Sequence, residues 1–282
     1  MNMSWVRKLA LVVLFLTMSW AHAETFTFGV LNQRSPTLTA QYWNPILDYV
    51  GKKTGVTLVM RMGKDVQETD AMTARGDYDF LYSNHVIFSH QNDTAGYRII
   101  LRPNEDAIEG QIVVPVNSPI TSLSALQNKE VGFPSKTAFV GYMVPMDHLL
   151  KNDINVKVVL GGNQEGIMAQ LKAGTVVAAA VNSRVMGEYA ARTGFQYRVL
   201  WTSPGYRNLP ISVSAKVPPS VVGLVSQALD KMDEDPIGHA VLKASADVIH
   251  QSPPYGFRAS SDKDYSNYVQ FYKATVLKDV GP

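Results

Sequence analysis

Gly110-Gln111-Ile112-Val113-Val114-Pro115 (GQIVVP) is an apolar run of strand length. It closes one series of alternating elements and opens a second. Upstream, Phe26 to Leu31 reads as a strand. Tyr42, Trp43, Ile46, Leu47 and Val50 recur at helical spacing before Gly51 and Gly55. Strands are expected at Val56 to Met62, Tyr78 to Ser83 and Tyr97 to Arg102, with helices at Val66 to Arg75 and His85 to Gln91. Downstream the pattern restarts. Strands are expected at Glu130 to Phe133, Val156 to Leu160, Val176 to Val181, Tyr197 to Thr202 and Ile211 to Ala215. Helices are expected at Thr137 to Leu150, with Pro145 inside, at Glu165 to Ala173 and at Ser183 to Arg192. Pro218-Pro219 starts a helix through Met232, and Ile237 to Ala246 and Asp262 to Leu277 close the chain as two more.

Strand and helix in alternation imply mostly parallel sheets flanked by helices. So many elements exceed one small sheet, and two α/β lobes are the economical reading. An eight-fold barrel is the alternative, and three successive terminal helices argue against it.

The 282 residues, 46% hydrophobic and 18% charged, suffice for a large core. Arg7 and Lys8, the apolar run Leu9 to Trp20 and the small-x-small triplet Ala21-His22-Ala23 form a secretory signal pattern, with cleavage expected after Ala23. The run is short of the roughly 20 residues of a membrane span. Without residues 1–23, which hold Arg7, Lys8 and no acid, the 26 Lys and Arg fall to 24, matching 24 Asp and Glu. A neutral exported chain offers no electrostatic case for nucleic acid. The absence of Cys excludes thiolate nucleophiles, thiolate metal sites and thioether-linked haem.

In open α/β sheets ligands sit beyond the carboxyl ends of strands, where helix N-termini offer free N–H groups. There the chain places Asn32-Gln33-Arg34-Ser35, Ser83-Asn84, Ser135-Lys136-Thr137, Gly161-Gly162-Asn163-Gln164 and Asn182-Ser183. Each alone reads as a helix cap. Their recurrence in both halves points to a shared ligand. No G-x-S-x-G elbow, H-E-x-x-H, calcium loop or phosphate-binding G-x-x-x-x-G-K occurs, so no catalytic residue, metal or cofactor is expected.

The chain resembles the substrate-binding proteins of ABC transporters, specifically the phosphate/phosphite/phosphonate-binding family of the type II periplasmic fold. The likeness rests on FGVLNQRSP followed by Tyr42 to Val50, on Gly76 to Tyr82, on Gly96-Tyr97-Arg98, on Phe133 to Phe139 with a later Pro145, and on Gly161-Gly162 and Gly174. It implies one lobe over residues 24–110 plus 205–282, a second over 111–204, and hinge strands near Gln111 to Val114 and Leu209 to Val213. Where the family carries a Ser-Thr-Ser-Gly run, this chain has Ala138-Phe139-Val140-Gly141, and Ser135 and Thr137 are expected to substitute. An FPS-x-x-AF pattern is similar to arsenite-sensing relatives that act with a histidine kinase; arsenite would call for a cysteine.

The implied function is capture of a small oxyanion in the periplasm by a monomer that delivers it to an ABC permease. Signalling to a sensor histidine kinase and an exported enzyme are the alternatives. The implied clamp is Arg34, Tyr82, Ser83 and Asn84 from the first lobe. Ser135, Lys136, Thr137, Ala138, Asn163, Asn182, Ser183 and Tyr206 complete it.

Overall fold

A computed structural model describes residues 24–84, 87–88 and 92–278. The signal pattern and most of the helix expected at His85 to Gln91 lie outside the described residues. No described helix is long and apolar enough to cross a membrane.

The elements run β1 (Thr25–Val30), α1 (Pro36–Thr54), β2 (Thr57–Arg61), α2 (Val66–Ala74), β3 (Phe80–Tyr82), α3 (Asn92–Ala95) and β4 (Tyr97–Pro103). Then come β5 (Gly110–Pro115), β6 (Glu130–Phe133), a π turn (Phe139–Met143) running into α4 (Val144–Lys151), β7 (Lys157–Leu160) and α5 (Gln164–Lys172). They continue with β8 (Ala178–Asn182), α6 (Ser183–Thr193), β9 (Tyr197–Thr202), β10 (Ile211–Ser214), α7 (Pro219–Asp230), α8 (Pro236–Ile249), β11 (Phe257–Ala259) and α9 (Ser266–Ala274).

The strands form two open sheets, ordered β11-β4-β10-β3-β1-β2 and β7-β6-β8-β5-β9. The fold is therefore two-lobed α/β and not a barrel. Each sheet has a parallel trio, β2-β1-β3 or β7-β6-β8. Against it lies an antiparallel strand, β10 on β3 and β5 on β8. Both sheets are thus mixed where mostly parallel ones were expected, and the reason is topological. Strands of the βα units end at the cleft. β5 and β10 arrive from the opposite lobe and must start there, as the pairs Gly110 with Asn182 and Ile211 with Tyr82 show.

The chain crosses between lobes just before these two strands. Ile108 and Tyr206 exchange backbone hydrogen bonds of 2.8 Å in each direction, tying the crossings together. A third link is the C-terminal segment. Tyr265 and Tyr268 donate to the carbonyls of Asn208 and Arg207, while Thr275 Oγ1 and the Val276 N–H donate to Asp147 on α4, each at 2.8 Å. This is why α9 stops at Ala274, short of the expected Leu277.

The core follows the alternation. Phe28, Trp43, Ile46, Phe80 and Val225 are buried on the first sheet, and Ile112, Val131, Phe133 and Leu149 on the second. Sequence periodicity found these residues because both faces of each sheet carry helices.

Candidate functional site

Two positions show how closely the second lobe is packed at the cleft. A Cβ at Gly110 would lie 2.5 Å from the Val140 carbonyl oxygen, and one at Gly141 would lie 2.6 Å from Gln164 Nε2 and 2.8 Å from Pro134. The π turn sits directly on the crossing strand. Pro145, having no N–H, cannot supply the usual hydrogen bond to the turn before it, which allows the wider turn to form there.

Between the lobes lies a cavity of about 30 Å³, enough for about two water molecules. It is walled by the carboxyl ends of β1 and β3, the segment after β6, and the starts of α5 and α6. Its lining contains six carboxamides (Asn32, Gln33, Asn84, Asn163, Gln164 and Asn182) and one hydroxyl, Ser135. Among the described residues, none that lines it is Asp, Glu, His, Lys, Arg or Tyr.

The amides divide by what already holds them. Asn32 is spent inside its own lobe, donating to the Gly63 carbonyl at 3.0 Å and accepting from Thr69 at 2.6 Å. Gln164 Oε1 accepts from the Asn182 N–H at 3.1 Å, and its Nε2, beside Gly141, has no protein acceptor among the described residues. Asn163 and Asn182 cap α5 and α6. Asn163 Oδ1 accepts from the Gly166 N–H at 2.7 Å, and Asn182 Oδ1 accepts from the Arg184 and Val185 N–H groups at 3.0 and 3.4 Å. Capping orients each oxygen toward its helix and leaves each Nδ2 a donor with no protein acceptor among the described residues.

Ala138, at the cap position of the π turn, has no side chain able to cap it, and no capping bond forms. The first N–H groups of that helix have no acceptor inside it. The residues that bear them, Phe139, Val140 and Gly141, line the cavity. The site therefore presents dipolar donors from several directions and a helix N-terminus, an arrangement that receives an anion or a strongly polar small solute.

The expected site residues separate into three groups. Asn84, Ser135, Ala138, Asn163 and Asn182 line the cavity. Arg34 and Tyr82 instead border a neighbouring space with Tyr42, Trp43, Glu105 and Glu188. Arg34 pairs with Glu188 across the cleft, and Tyr82 packs on Trp43 at 4.8 Å. The rest stand outside the lining. Lys136 is exposed, and Thr137 is half-buried and hydrogen-bonded to Ser135 at 3.1 Å. Ser83 is buried beneath. Ser183 Oγ accepts from the Glu109 N–H at 3.0 Å, bracing a crossing segment. Tyr206 lies within the other crossing, edge-on to Phe139 at 4.9 Å.

Gln33 and Gln164 line the cavity but were not singled out as ligands, although both lie in strand-end segments that position alone flagged. The apolar wall of Leu31, Val66, Ile108, Phe139 and Leu209 carried no comparable signal, since apolar residues there look the same as core.

The rim is closed by contacts between lobes. Besides Arg34 with Glu188, Arg184 pairs with Glu105 at 2.9 Å and donates to the Ser252 carbonyl at 3.2 Å. The Glu165 N–H donates to the Gln33 carbonyl at 3.3 Å, and the Ser35 N–H to the Glu165 carboxylate at 3.4 Å. Arg192 holds Glu165 and donates to the Ile249 carbonyl. Burial pushes the Glu105 carboxyl up, against the pull of Arg184 and Asn208.

A cleft between two α/β lobes, entered by two paired crossings and closed over a small polar cavity, defines a bilobal binding protein. The sequence matches, over residues 28–265, the model of the family described as ABC transporter, phosphonate, periplasmic substrate-binding protein, and the chain belongs to that family. No curated protein matches it significantly in sequence. Among solved structures, a binding protein component of an ABC phosphonate transporter from Pseudomonas aeruginosa superposes with a TM-score of 0.76 at 16% identity, covering 89% of this chain and 86% of that one. PhnD1 from Prochlorococcus marinus, in complex with methylphosphonate, superposes at 0.73 with 13% identity, covering 89% and 98%. A Xanthomonas citri protein bound to ATP superposes at 0.67 with 18% identity, covering 90% and 100%. At these identities the likeness is one of fold. Family membership makes this chain a solute-binding component of an ABC system, working in the periplasm.

Proposed function

We propose that this chain captures a small oxyanion of the phosphate, phosphite or phosphonate class and hands it to an ABC permease. The observation that carries the reading is the cavity lining: amides, one hydroxyl and an uncapped helix start, with no ionisable side chain among the described residues. Burying an anion requires that its oxygens find donors, and this lining supplies them without a fixed counter-charge. The volume suits a tetrahedral ion with at most a short substituent. The methylphosphonate complex of PhnD1 supports the same class.

The lobes of this reading are residues 24–110 with 205–282, and 111–204, the crossings at Ile108 and Tyr206 acting as the hinge. Residues 1–23 direct export and are removed after Ala23, and the mature protein acts as a monomer. The permease is preferred over a histidine kinase because the matching family is one of transporters. Binding without turnover is the expected chemistry, since none of the described residues that line the cavity can serve as nucleophile and base together.

Ligand acts by closing the lobes. Moving an open–closed equilibrium from about 1:99 to 99:1 takes about 5.5 kcal/mol of differential affinity. A helix N-terminus contributes about 0.3–2 kcal/mol, and hydrogen bonds to a charged group about 1.5–3 kcal/mol each. Two or three of the free donors at Asn163, Gln164, Asn182 and the helix start are enough. A thermal-shift and calorimetric screen of the mature protein against phosphate, phosphite, methylphosphonate, sulfonates and small carboxylates tests it. Stoichiometric binding of a phosphorus oxyanion is expected; preference for a carboxylate or an uncharged solute would overturn the reading.

A further inference from the structure

We infer that residues 265–277, which lie outside the cavity lining, position the donors that hold the ligand. Phe271 and Asp147 are positioning residues, acting through the helix that begins at Phe139. This deepens the oxyanion reading and rests on it.

The start of that helix is not fixed by its own sequence. Ala138 cannot cap it. An uncapped start frays, and N–H groups that fray are not pre-organised for a ligand. Ring contacts take the place of the cap. Phe139 is buried, and its ring meets four others. It stacks on Tyr268 at 4.1 Å, stands edge-on to Tyr206 at 4.9 Å and to Phe271 at 5.0 Å, and tilts against Tyr272 at 5.9 Å. Three of the four rings belong to α9.

The grip continues down the same helix at four-residue spacing, which is one face. The Tyr272 hydroxyl lies 3.5 Å from Met143 Sδ. Asp147 accepts from Thr275 Oγ1 and from the Val276 N–H, both at 2.8 Å. Lys151 Nζ donates to the Ala274 carbonyl at 3.1 Å. Phe139, Met143, Asp147 and Lys151 thus all dock on one C-terminal segment. That segment is itself anchored on the second crossing. Tyr265, Asn267 and Tyr268 donate to the carbonyls of Asn208, Gly205 and Arg207 at 2.8, 3.3 and 2.5 Å. α9 is therefore a splint between a crossing and the helix whose first residues line the cavity. The described lining contains none of residues 265–277, so they act on the ligand only through that helix. Asp147 stands about two turns beyond Phe139, too far to touch a ligand at the helix start.

The test is calorimetric titration of the mature protein with methylphosphonate, with amide NMR on the same samples. Phe271→Ala removes one ring from Phe139 and is expected to weaken binding about tenfold. Phe271→Tyr keeps a ring there and restores affinity. Asp147→Ala frees the end of the segment and weakens binding measurably but less. Ligand-induced shifts of the Phe139, Val140 and Gly141 N–H signals shrink in both alanine variants, while those of the Asn163 and Asn182 side-chain amides persist. Val225→Ala, in the first-lobe core, is the control: it lowers the melting temperature and leaves affinity unchanged. If Phe271→Ala does not fold, Asp147→Ala decides. Wild-type affinity in the alanine variants, an equal loss of shifts at every donor, or equal weakening by Val225→Ala overturns the role of the C-terminal segment and leaves the oxyanion reading standing. Failure of wild type to bind methylphosphonate overturns both.

Discussion

Asn182 performs two tasks through two different atoms, and one substitution separates them. Its Oδ1 caps α6 by accepting from the Arg184 and Val185 N–H groups, while its Nδ2 is a donor into the cavity. Asn182→Asp preserves the cap, because a carboxylate accepts the same bonds and sits favourably at a helix N-terminus. It replaces the donor with a second acceptor. Stability of the unliganded protein should stay within about 0.5 kcal/mol of wild type.

Affinity behaves differently. The lost charge-assisted hydrogen bond removes about 1.5–3 kcal/mol, or about 10- to 150-fold. Repulsion adds to this, since two unit charges about 4 Å apart interact by up to about 4 kcal/mol at an effective dielectric near 20, and none of the described lining residues carries a compensating charge. The combined loss exceeds about 100-fold. Urea unfolding without ligand and calorimetry with ligand measure the two quantities. Asn182→Ala is the control: it lowers stability by about 1 kcal/mol through the lost cap and weakens binding less, because it adds no charge. Undiminished oxyanion affinity in Asn182→Asp would refute the placement of the ligand.

Further outcomes can be checked in parallel. Gly141→Ala drives a Cβ to within 2.6 Å of Gln164 Nε2; ligand affinity should fall and the unliganded melting temperature with it, since Pro134 also blocks the shift. Arg34→Ala removes a pair that spans the cleft without lining the cavity, so small-angle scattering should show a larger radius of gyration in the unliganded protein, with affinity weakened through closure alone. Acid should release the C-terminal segment. Burial pushes the Asp147 carboxyl up, but Lys151, the Val276 N–H and Thr275 together hold it below the ordinary carboxylate value. A group lowered on folding contributes stability present above its unfolded pKa of about 3.9 and lost as pH falls through the folded value. Amide exchange at Val276 and Leu277 should therefore accelerate below about pH 4, and Asp147→Asn should abolish that pH dependence.

The two lobes were legible before any coordinates because the alternation of strand and helix is a local property. GQIVVP opens a second series as plainly as FTFGVL opens the first, and helices on both sheet faces leave apolar runs readable from spacing alone. The direction of β5 and β10 was not legible. A strand looks the same in sequence whichever way it runs, and only the crossing at Ile108 and Tyr206 imposes the reversal. The site was half legible. Position after a strand flagged Asn84, Ser135, Asn163 and Asn182, which line the cavity.

Arg34 shows where that reasoning stops. Chemically it was the best partner for an anion in any of the strand-end segments, yet it faces Glu188, more than 150 residues away in sequence. Charge type is written in the residue, but whether a charge is free depends on what the folded chain brings beside it. The same holds for Asn32, whose amide is spent on the Gly63 carbonyl and the Thr69 hydroxyl of a distant segment. From the sequence alone came the class of molecule and the edge at which its ligand must lie, because backbone hydrogen bonding and apolar periodicity are short-range. Only the tertiary structure decided which donors remain unspent, because that depends on contacts between residues far apart along the chain.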